Sequence, residues 1–408
     1  MNYIHRDIES EFLAYASEFR IVLLTGMRQS GKSTMLAHLA EENRHIVTLD
    51  DVQERALAIN DPQLFMQIHQ PPIIIDEVQY APELFSYLKI FADQHPDEMG
   101  AIWLSGSQPY PLMKLAGESL AGRVGILHML PLSQHELFGT GTLEPLRIDI
   151  SPLQQKLDQQ EPALLPQVYE RIYRGWMPEV ASRESSNPGH YYASYMQTYI
   201  ERDVRSLDKS ADFLDFSRFM SAVAAQTGQL LNINSLARDV DISRAKAKEW
   251  IGILQKSDII FLLHPYSNNA LSRAVKTPKL YFNDTGLAAW LGQWDSPKTL
   301  ERGALSGQIF ENYVVSEIAK TIANSGDNAS LWFYRDRDAR EIDVLIQRNG
   351  ILHPVEIKKS ANPQRKHIRA FDILAKSPLE TGTGMIVCMA QSIGAIDRSC
   401  LIMPAWGL

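Results

Sequence analysis

The sequence of 408 residues has little cysteine and no long apolar run. Its two cysteines, Cys388 and Cys400, argue against a disulfide framework and exclude a cysteine zinc site of the usual four-ligand kind. Such sparse use of cysteine fits a reducing cytoplasm, where we expect the protein to work. No apolar stretch approaches the ~20 residues that a membrane span needs. The first residues also lack the charged-then-apolar layout of a signal peptide, so we expect neither a secreted nor a membrane protein.

The chain also lacks an excess of positive charge. Its formal net charge is −8, which does not indicate nucleic-acid binding by the chain as a whole. Residues 335–369 differ, since nine Lys or Arg stand there against five Asp or Glu, a local balance of +4. Such a segment suits nucleic acid, but an ordinary solvated surface explains it equally well.

What the sequence does contain is a glycine-rich motif, Gly-x-x-x-x-Gly-Lys-Ser, between a predicted strand at 21–24 and a predicted helix at 34–40. Backbone N–H groups of such a loop, backed by a helix N-terminus, cradle phosphates. Lys32 would reach the β- and γ-phosphates, and Ser33 would bind Mg²⁺. The motif predicts a nucleoside triphosphate site formed by Gly26, Met27, Arg28, Gln29, Ser30, Gly31, Lys32, Ser33 and Thr34.

Two carboxylates follow the buried apolar run at 73–75, about 45 residues after the loop. Ligands of open parallel sheets bind at the carboxyl ends of the strands, which places Asp76 and Glu77 beside the phosphates. Asp76 would hold Mg²⁺ through water, and Glu77 would act as general base on the attacking water. Ser107, after the next strand, would sense or position the γ-phosphate, or it belongs to a plain strand-to-helix turn.

ATP hydrolysis by such a site generally needs a further positive charge, supplied in cis or by a neighbouring subunit. The candidates are Arg28, Arg123 and Arg202. We favour Arg123 because it follows the Ser107 strand, and an arginine acting in trans would require a homo-oligomer. A surface arginine is more often simply solvated, and the sequence does not choose among the three.

We predict three domains and an α/β fold class. Residues 1–165 alternate strand and helix signals, as the parallel sheet of a P-loop NTPase requires, and 148–166 read as an irregular connector. Residues 166–290 form a helical and winged-helix domain, and 291–408 a restriction-endonuclease-like α/β domain. The strands predicted for the first domain are Ile21–Leu24, Ile46–Leu49, Ile73–Ile75, Ala101–Leu104 and Ile126–Met129.

The winged-helix prediction comes from the order of elements after residue 230. A helix opening at 233–237, a turn at 241–243, a second helix at 244–256 and a strand at 259–263 follow the winged-helix plan. The second helix carries Arg244, Lys246, Lys248 and Lys256. This element either contacts DNA or only packs between two larger domains.

A second set of carboxylates lies near the C-terminus. Asp343 is on one predicted strand, and Glu356 and Lys358 are two apart on the next, hence on one face. Two carboxylates can hold Mg²⁺ while a lysine stabilises charge at a phosphodiester, and Glu311 on the preceding helix would complete the metal shell. This is the Asp…Glu-x-Lys arrangement of restriction-endonuclease-type nucleases. A structural salt-bridge cluster is the alternative.

With these motifs in hand, the chain resembles the prokaryotic AAA-type ATPases, related to archaeal-type ATPases, that carry a C-terminal domain of unknown function. The resemblance implies an AAA-like ATPase core, a winged helix and a nuclease-like C-terminal fold, with ATP and Mg²⁺ at Lys32, Ser33, Asp76 and Glu77. The stretches at 199–204 and 281–287 discriminate best. The stretches that carry the resemblance are Leu24–Thr34, Ile75–Gln79, Leu104–Ser107, Leu120–Arg123, Leu130–Ser133, Tyr199–Val204, Lys279–Leu287 and Val355–Lys358.

The sequence thus predicts an Mg²⁺-dependent ATPase that couples hydrolysis to DNA binding or remodelling. Two alternatives stay open. One is a nucleotide-dependent signalling switch with a protein-binding C-terminal domain, and the other is an ATP-controlled nuclease.

Overall fold

The computed structural model of the chain describes residues 3–107, 112, 116–117, 119–139, 143–183, 185–199, 204, 208, 212–266, 277–336 and 340–408. It divides into two compact units. The first unit contains residues 1–131 with 256–258, and the second contains 132–255 with 259–408. The three-domain division with boundaries at 165 and 290 stays a prediction.

The first unit is built on a parallel five-stranded sheet in the order β2-β3-β4-β1-β5. Its three inner strands form because their short apolar runs are buried on both faces of a parallel sheet. All five predicted strands are confirmed, with shifts of one or two residues at their ends. They are β1 (Ile21–Gly26), β2 (His45–Thr48), β3 (Ile73–Asp76), β4 (Ile102–Gly106) and β5 (Val124–Met129).

Helices cover both faces of this sheet. Alternate residues of β1 point to opposite sides, so Ile21 and Leu23 pack in one apolar cluster and Val22 and Leu24 in another. The helices are α1 (Glu9–Glu18), α2 (Lys32–Leu39), α3 (Val52–Asn60), α4 (Pro62–Ile68) and α5 (Leu84–Gln94), with a 3₁₀ turn at Val78–Tyr80. This is the α/β fold of a P-loop domain, as predicted.

The second unit begins with helices. The Ser133–Glu136 capping box begins the first of them. Among the residues that the structure describes, no helix has the length and apolar character needed to cross a membrane. The helices are α6 (Gln134–Phe138), α7 (Ile150–Asp158), α8 (Leu165–Arg174), α9 (Pro178–Ala181), α10 (Pro188–Tyr199), α11 (Phe213–Ala224), α12 (Ile233–Val240), α13 (Arg244–Lys256), α14 (Thr285–Leu291), α15 (Pro297–Arg302) and α16 (Ser306–Asn324).

Helix α7 corrects the prediction of an irregular connector at 148–166. Its apolar side is small, with Leu153 and Leu157 buried one turn apart among Gln and Lys. Pro152 stands in the first turn, where its missing N–H costs nothing. The Gln- and Pro-rich composition suggested a loop, but two buried leucines at helical spacing suffice for a helix that packs on its neighbours.

A small antiparallel sheet accompanies α12 and α13. It has the order β6-β8-β7, from β6 (Gln229–Leu230), β7 (Ile260–Leu263) and β8 (Lys279–Phe282). Asn232 caps α12, and Asp241 turns the chain toward α13 at a φ of 59°. The helices and β7 lie where the winged-helix plan predicts them, while residues 267–276 lie outside the described part of the chain. The winged helix itself stays a prediction.

A mixed sheet completes the second unit, in the order β14-β15-β13-β11-β10-β9 with β12 beside β11. Strands β10 and β11 are antiparallel, with Val344 opposite Val355. 3₁₀ helices lie at Arg365–Lys376 and Ala405–Gly407. The strands are β9 (Ser330–Arg335), β10 (Glu341–Arg348), β11 (Ile351–Lys358), β12 (Glu380–Thr381), β13 (Gly384–Cys388), β14 (Gly394–Asp397) and β15 (Cys400–Pro404).

Candidate functional site

The phosphate loop joins β1 to α2 and needs glycine at both ends. Gly26 has a φ of 144°, and a Cβ there would run into the carbonyl of Met129 on β5. Gly31 caps α2 at a φ of 97°, and Gln29 has a φ of 61°. Positive φ angles favour glycine, so the spacing of the motif is dictated by the backbone path. In the same loop Met27 and Ser30 are buried, while Ser33 and Thr34 are exposed.

Lys32 lies inside this loop. Its side chain is buried, and Nζ donates to the carbonyl oxygens of Gly26 (3.0 Å) and Met27 (2.7 Å). Burial lowers the pKa of Lys32 to about 8, against the opposing pull of the Glu77 and Asp76 carboxylates. The Lys32 ammonium is therefore solvated mainly by carbonyl oxygens of the phosphate loop and little by water.

Asp76 lies between the loop and strand β4. Ser33 Oγ donates to it at 2.9 Å from each carboxylate oxygen, and Ser105 Oγ also donates to it. Ser105 lies in the stretch Leu104–Ser107, but the sequence indicates no role of its own for it. The register of β3 and β4 explains this contact. Ile75 pairs with Leu104, so the residues that follow them, Asp76 and Ser105, are neighbours.

Glu77, at a φ of 56°, is held by three donors of its own. Ser107 donates to Glu77 Oε2 from Oγ at 3.1 Å and from its backbone N–H at 3.4 Å. Gln79 Nε2 donates to the same oxygen. Gly106 makes room, because a Cβ there would meet the Gln79 side chain. The predicted residues Glu77 and Ser107 are thus brought together, and Gln79 joins them without having been predicted.

Arg6 braces the loop from behind. Its side chain is buried, and Nη1 donates to the carbonyl of Ser30 at 2.8 Å while Nη2 donates to that of Leu130 at 2.7 Å. One guanidinium thus joins the phosphate loop to the chain that follows β5. No sequence motif indicates this role, since Arg6 precedes the loop by 20 or more residues.

The arginine candidates are placed differently from one another. Arg28 lies in the loop, and Arg202 lies outside the described residues. Arg123 precedes β5 and pairs with Asp93 (Nε to Oδ1 2.5 Å). Because Val124 is opposite Ile21 in the sheet and Met129 opposite Gly26, Arg123 stands about 20 Å, six strand residues, from the loop. It lies at the opposite edge of the sheet and does not reach the loop of its own chain.

The second candidate site gathers the predicted carboxylates of β10 and β11. Lys358 Nζ is 2.6 Å from Glu356 Oε1 and 3.7 Å from Asp343 Oδ2. Asp343 Oδ2 also accepts the backbone N–H of Ile357 at 2.8 Å. Adjacent strands therefore bring Asp343, Glu356 and Lys358 together, as their spacing predicted.

Glu311 has partners that the prediction of a metal shell did not include. Lys279 Nζ lies 2.8 Å from Glu311 Oε1, 2.5 Å from Glu341 Oε1 and 3.9 Å from Asp343 Oδ1. Tyr281 OH donates to Glu311 at 2.7 Å. In the part of the chain that the structure describes, no three His, Cys, Asp or Glu side chains form a group suited to a metal ion. Tyr281 opens the stretch 281–287, which discriminates best in the sequence, and Lys279 precedes that stretch by two residues.

The electrostatics of this cluster follow from burial. Burial raises the pKa of Glu311 and of Glu356, and the nearby Asp343 charge raises both further. Burial alone would lower the pKa of Lys279, but the Glu311, Asp343 and Glu341 carboxylates reverse the shift and raise it. The surrounding carboxylates therefore keep the Lys279 side chain in its charged, protonated form.

Comparison with known protein families matches the chain in three stretches. Residues 18–138 match a family described as AAA domain. Residues 165–298 and 306–407 match two families described as domains of unknown function, DUF8612 and DUF4143 respectively.

Curated relatives and solved structures are similar at low identity. The uncharacterised protein Rv2008c of Mycobacterium tuberculosis and its Mycobacterium bovis counterpart Mb2031c are each 28% identical over 344 residues, covering 84% of this chain and 71% of theirs. The Walker-type ATPase of Pyrococcus abyssi is 16% identical with a TM-score of 0.44, covering 71% of this chain and 96% of its own. Thermotoga maritima RuvB is 15% identical with a TM-score of 0.29, covering 62% of this chain and 88% of its own.

The AAA domain match covers the phosphate loop, Asp76, Glu77 and Ser107. The third match covers Glu311, Asp343, Glu356 and Lys358. The chain is thus a P-loop ATPase, with a match to the AAA domain at 18–138 and to a domain of unknown function at 306–407.

Proposed function

We propose that this ATPase depends on Mg²⁺ and couples ATP hydrolysis to DNA binding or remodelling. The observation that supports the hydrolytic part is the arrangement at the carboxyl edge of the first sheet. At this edge, Lys32 lies in the phosphate loop, Asp76 accepts the hydroxyl of Ser33, and Glu77 is held by Ser107.

The residues of this edge fit a metal-nucleotide complex. Ser33 and both oxygens of Asp76 are the hard oxygen ligands that Mg²⁺ prefers. When bound, the metal would neutralise charge on the phosphates. Lys32 would exchange its two loop carbonyls for phosphate oxygens, and the loop N–H groups from Met27 to Thr34 would cradle them.

Glu77 is the proposed general base. Ser107 and Gln79 hold its carboxylate in one orientation, which is the task of residues that position a base. Glu77 would accept a proton from the attacking water at Oε1 or Oε2. Ser107 would then affect the γ-phosphate indirectly, because it orients the Glu77 carboxylate that acts on the attacking water.

Arg123 is proposed as the finger of a neighbouring copy in a homo-oligomer, since it lies too far from its own loop. In that arrangement one copy supplies the arginine and another the loop. Mixing inactive Arg123→Ala and Lys32→Ala proteins should then restore part of the activity. A strictly monomeric and fully active enzyme would remove this proposal.

The DNA part is supported by the surface of α13. Arg244 and Lys248 are exposed one helical turn apart. Together with the Asn232 and Asn234 side chains they line a cleft of about 820 Å³, and none of its described lining residues is acidic. Lys246 on the same helix is bound to Asp208 instead. Two exposed cations and two amides beside a groove suit a phosphate backbone.

The test is the ATPase rate with and without single-stranded, duplex and branched DNA at low and moderate salt. We expect several-fold stimulation by one form, which weakens as salt rises because released counterions drive such binding. Arg244→Ala with Lys248→Ala should abolish the stimulation and keep the basal rate. Arg183→Ala with Arg218→Ala removes two exposed charges from other parts of the second unit and should change neither.

A flat, slow rate with every DNA would contradict the coupling to DNA. The ATPase would then be better explained as a switch that acts on a protein partner.

A further inference from the structure

The lysine of β8 occupies a place that the sequence assigned to a metal ion. Its Nζ lies within 3.9 Å of carboxylate oxygens from Glu311, Glu341 and Asp343. These oxygens belong to helix α16 and strand β10, so a single ammonium joins two elements. The Glu311 oxygen that it contacts also accepts the hydroxyl of Tyr281.

Lys279 is built into the fold and is not a flexible surface side chain. Strand β8 is the middle strand of its sheet, and Lys279 itself is paired with Leu230 on one side and Leu263 on the other. Its side chain is only 4% exposed. A backbone fixed on both sides and a buried stem leave the ammonium little freedom to move away from the carboxylates.

We propose that Lys279 is the resident cation of this cluster, that it replaces a divalent metal, and that the C-terminal domain therefore does not cut DNA by a metal-dependent mechanism. A divalent ion would have to approach carboxylates that already contact an ammonium, and the two cations would repel each other at short range. Mg²⁺ also requires oxygens at about 2.0–2.1 Å in octahedral array, whereas these oxygens are spaced for N–H···O contacts.

The neighbouring lysine does not play the same part. Lys358 contacts Glu356 at 2.6 Å from the rim of the cluster, with its side chain 34% exposed. The other carboxylate oxygen of Glu356, Oε2, is buried and accepts no hydrogen bond from the described residues. Removal of Lys279 would therefore leave Glu311, Asp343 and this oxygen of Glu356 free to receive a cation together.

The experiment counts Mn²⁺ bound to the full chain by electron paramagnetic resonance, without nucleotide. We expect Asp343→Asn to leave the Mn²⁺ count of the wild-type chain unchanged. Lys279→Met should bind an additional Mn²⁺ and should be stabilised by it in thermal unfolding. Lys358→Met is the matched control, since it removes a lysine of the same cluster but keeps Lys279, and it should bind no additional Mn²⁺.

Lys279→Met combined with Glu311→Gln removes one cation and one carboxylate together, so it should fold without metal and lose the additional Mn²⁺. A wild-type chain that loses a bound Mn²⁺ on Asp343→Asn or Glu356→Gln would overturn the proposal. So would a Lys279→Met chain that gains no Mn²⁺, or that stays unfolded in its presence while the double variant folds.

Discussion

Two carboxylate clusters in this chain read alike in sequence but differ in what surrounds them. Asp76 and Glu77 in the first unit are bound by neutral hydroxyl and amide donors, from Ser33, Ser105, Ser107 and Gln79. Asp343, Glu356 and Glu311 in the second unit are bound by the ammonium groups of Lys279 and Lys358. Neutral donors orient a carboxylate but keep its charge available for a metal-nucleotide complex. A buried ammonium neutralises that charge.

The comparison teaches that a carboxylate pattern does not define a metal site until the resident cations are known. At the first cluster the nearby cation is Lys32, whose pKa burial lowers to about 8 and which donates to two loop carbonyls. At the second, Lys279 is bound to carboxylates directly. Substitutions of the lysines and carboxylates at the two clusters test this difference.

Loss of the loop lysine should have the largest effect. Lys32→Ala removes the charge that we expect to contact both the β- and γ-phosphates, and ATP turnover should fall by about 10³-fold. ATPase assays and nucleotide titration measure it. The matched variant in the second cluster, Lys358→Ala, should leave turnover without DNA unchanged. If Lys358→Ala were as inactive as Lys32→Ala, the contrast between the clusters would be wrong.

Loss of the base should separate binding from hydrolysis. Glu77→Gln keeps the hydrogen-bonding shape but cannot accept a proton, so ATP affinity should stay near that of the wild type while turnover drops about 10²- to 10³-fold. Single-turnover hydrolysis with a parallel binding titration measures both. Normal turnover in Glu77→Gln would show that another group is the base.

Arg6 should matter for nucleotide binding beyond its contribution to stability. Arg6→Ala removes the brace between Ser30 and Leu130 and should raise the KM for ATP about 10-fold, because a loop that must first be ordered binds more weakly. Arg44→Ala is the control, since Arg44 is also buried and bonded to the carbonyl of Ala101. Both variants should lose about 1–3 kcal/mol of unfolding free energy.

An unchanged KM in Arg6→Ala, with the same stability loss as Arg44→Ala, would reduce Arg6 to a structural residue. Arg6→Lys should bring the KM part of the way back to the wild-type value, since it keeps one charged donor nitrogen where Arg6 uses two.

The pKa of Lys32 gives a smaller, pH-dependent effect. Burial places it at about 8 in the free protein, below the ordinary 10.5, so the side chain is charged below pH 8 and increasingly neutral above it. Phosphates favour the charged form. ATP binding above about pH 8 should therefore take up a proton and weaken several-fold toward about pH 9, with little change below about pH 7.

Calorimetry in buffers of different ionisation enthalpy measures this proton. Lys32→Arg stays charged throughout and should show no uptake at residue 32. Equal proton uptake by both proteins would assign it to another group.

The first site could be predicted largely from the sequence, and the second only in part. Runs such as Ile73–Ile75 identify buried strands without any tertiary information, and a loop of fixed spacing then places Lys32, Ser33, Asp76 and Glu77. Ser105 needed the register of β3 and β4. Arg6 and Lys279 could not be predicted, because each acts across a long loop closure that no local pattern encodes.

Lys279 shows the limit most clearly. It precedes Glu311 by 32 residues, and no spacing rule connects a lysine on one sheet with carboxylates of another element. The stretch 279–287 is one of those that carry the family resemblance, but the role of Lys279 follows only from the contact between β8 and α16. Asp284, which caps α14 and accepts the N–H of Trp176 at 2.7 Å, is a second use of the same stretch.

The contrast between the clusters is tested most directly by counting Mn²⁺ bound to the full chain in the presence of a non-hydrolysable ATP analogue, in the wild type, Asp76→Asn and Asp343→Asn. The account predicts that Asp76→Asn loses the nucleotide-dependent Mn²⁺ and that Asp343→Asn keeps the wild-type count. Loss of Mn²⁺ in Asp343→Asn, with Asp76→Asn unchanged, would contradict it.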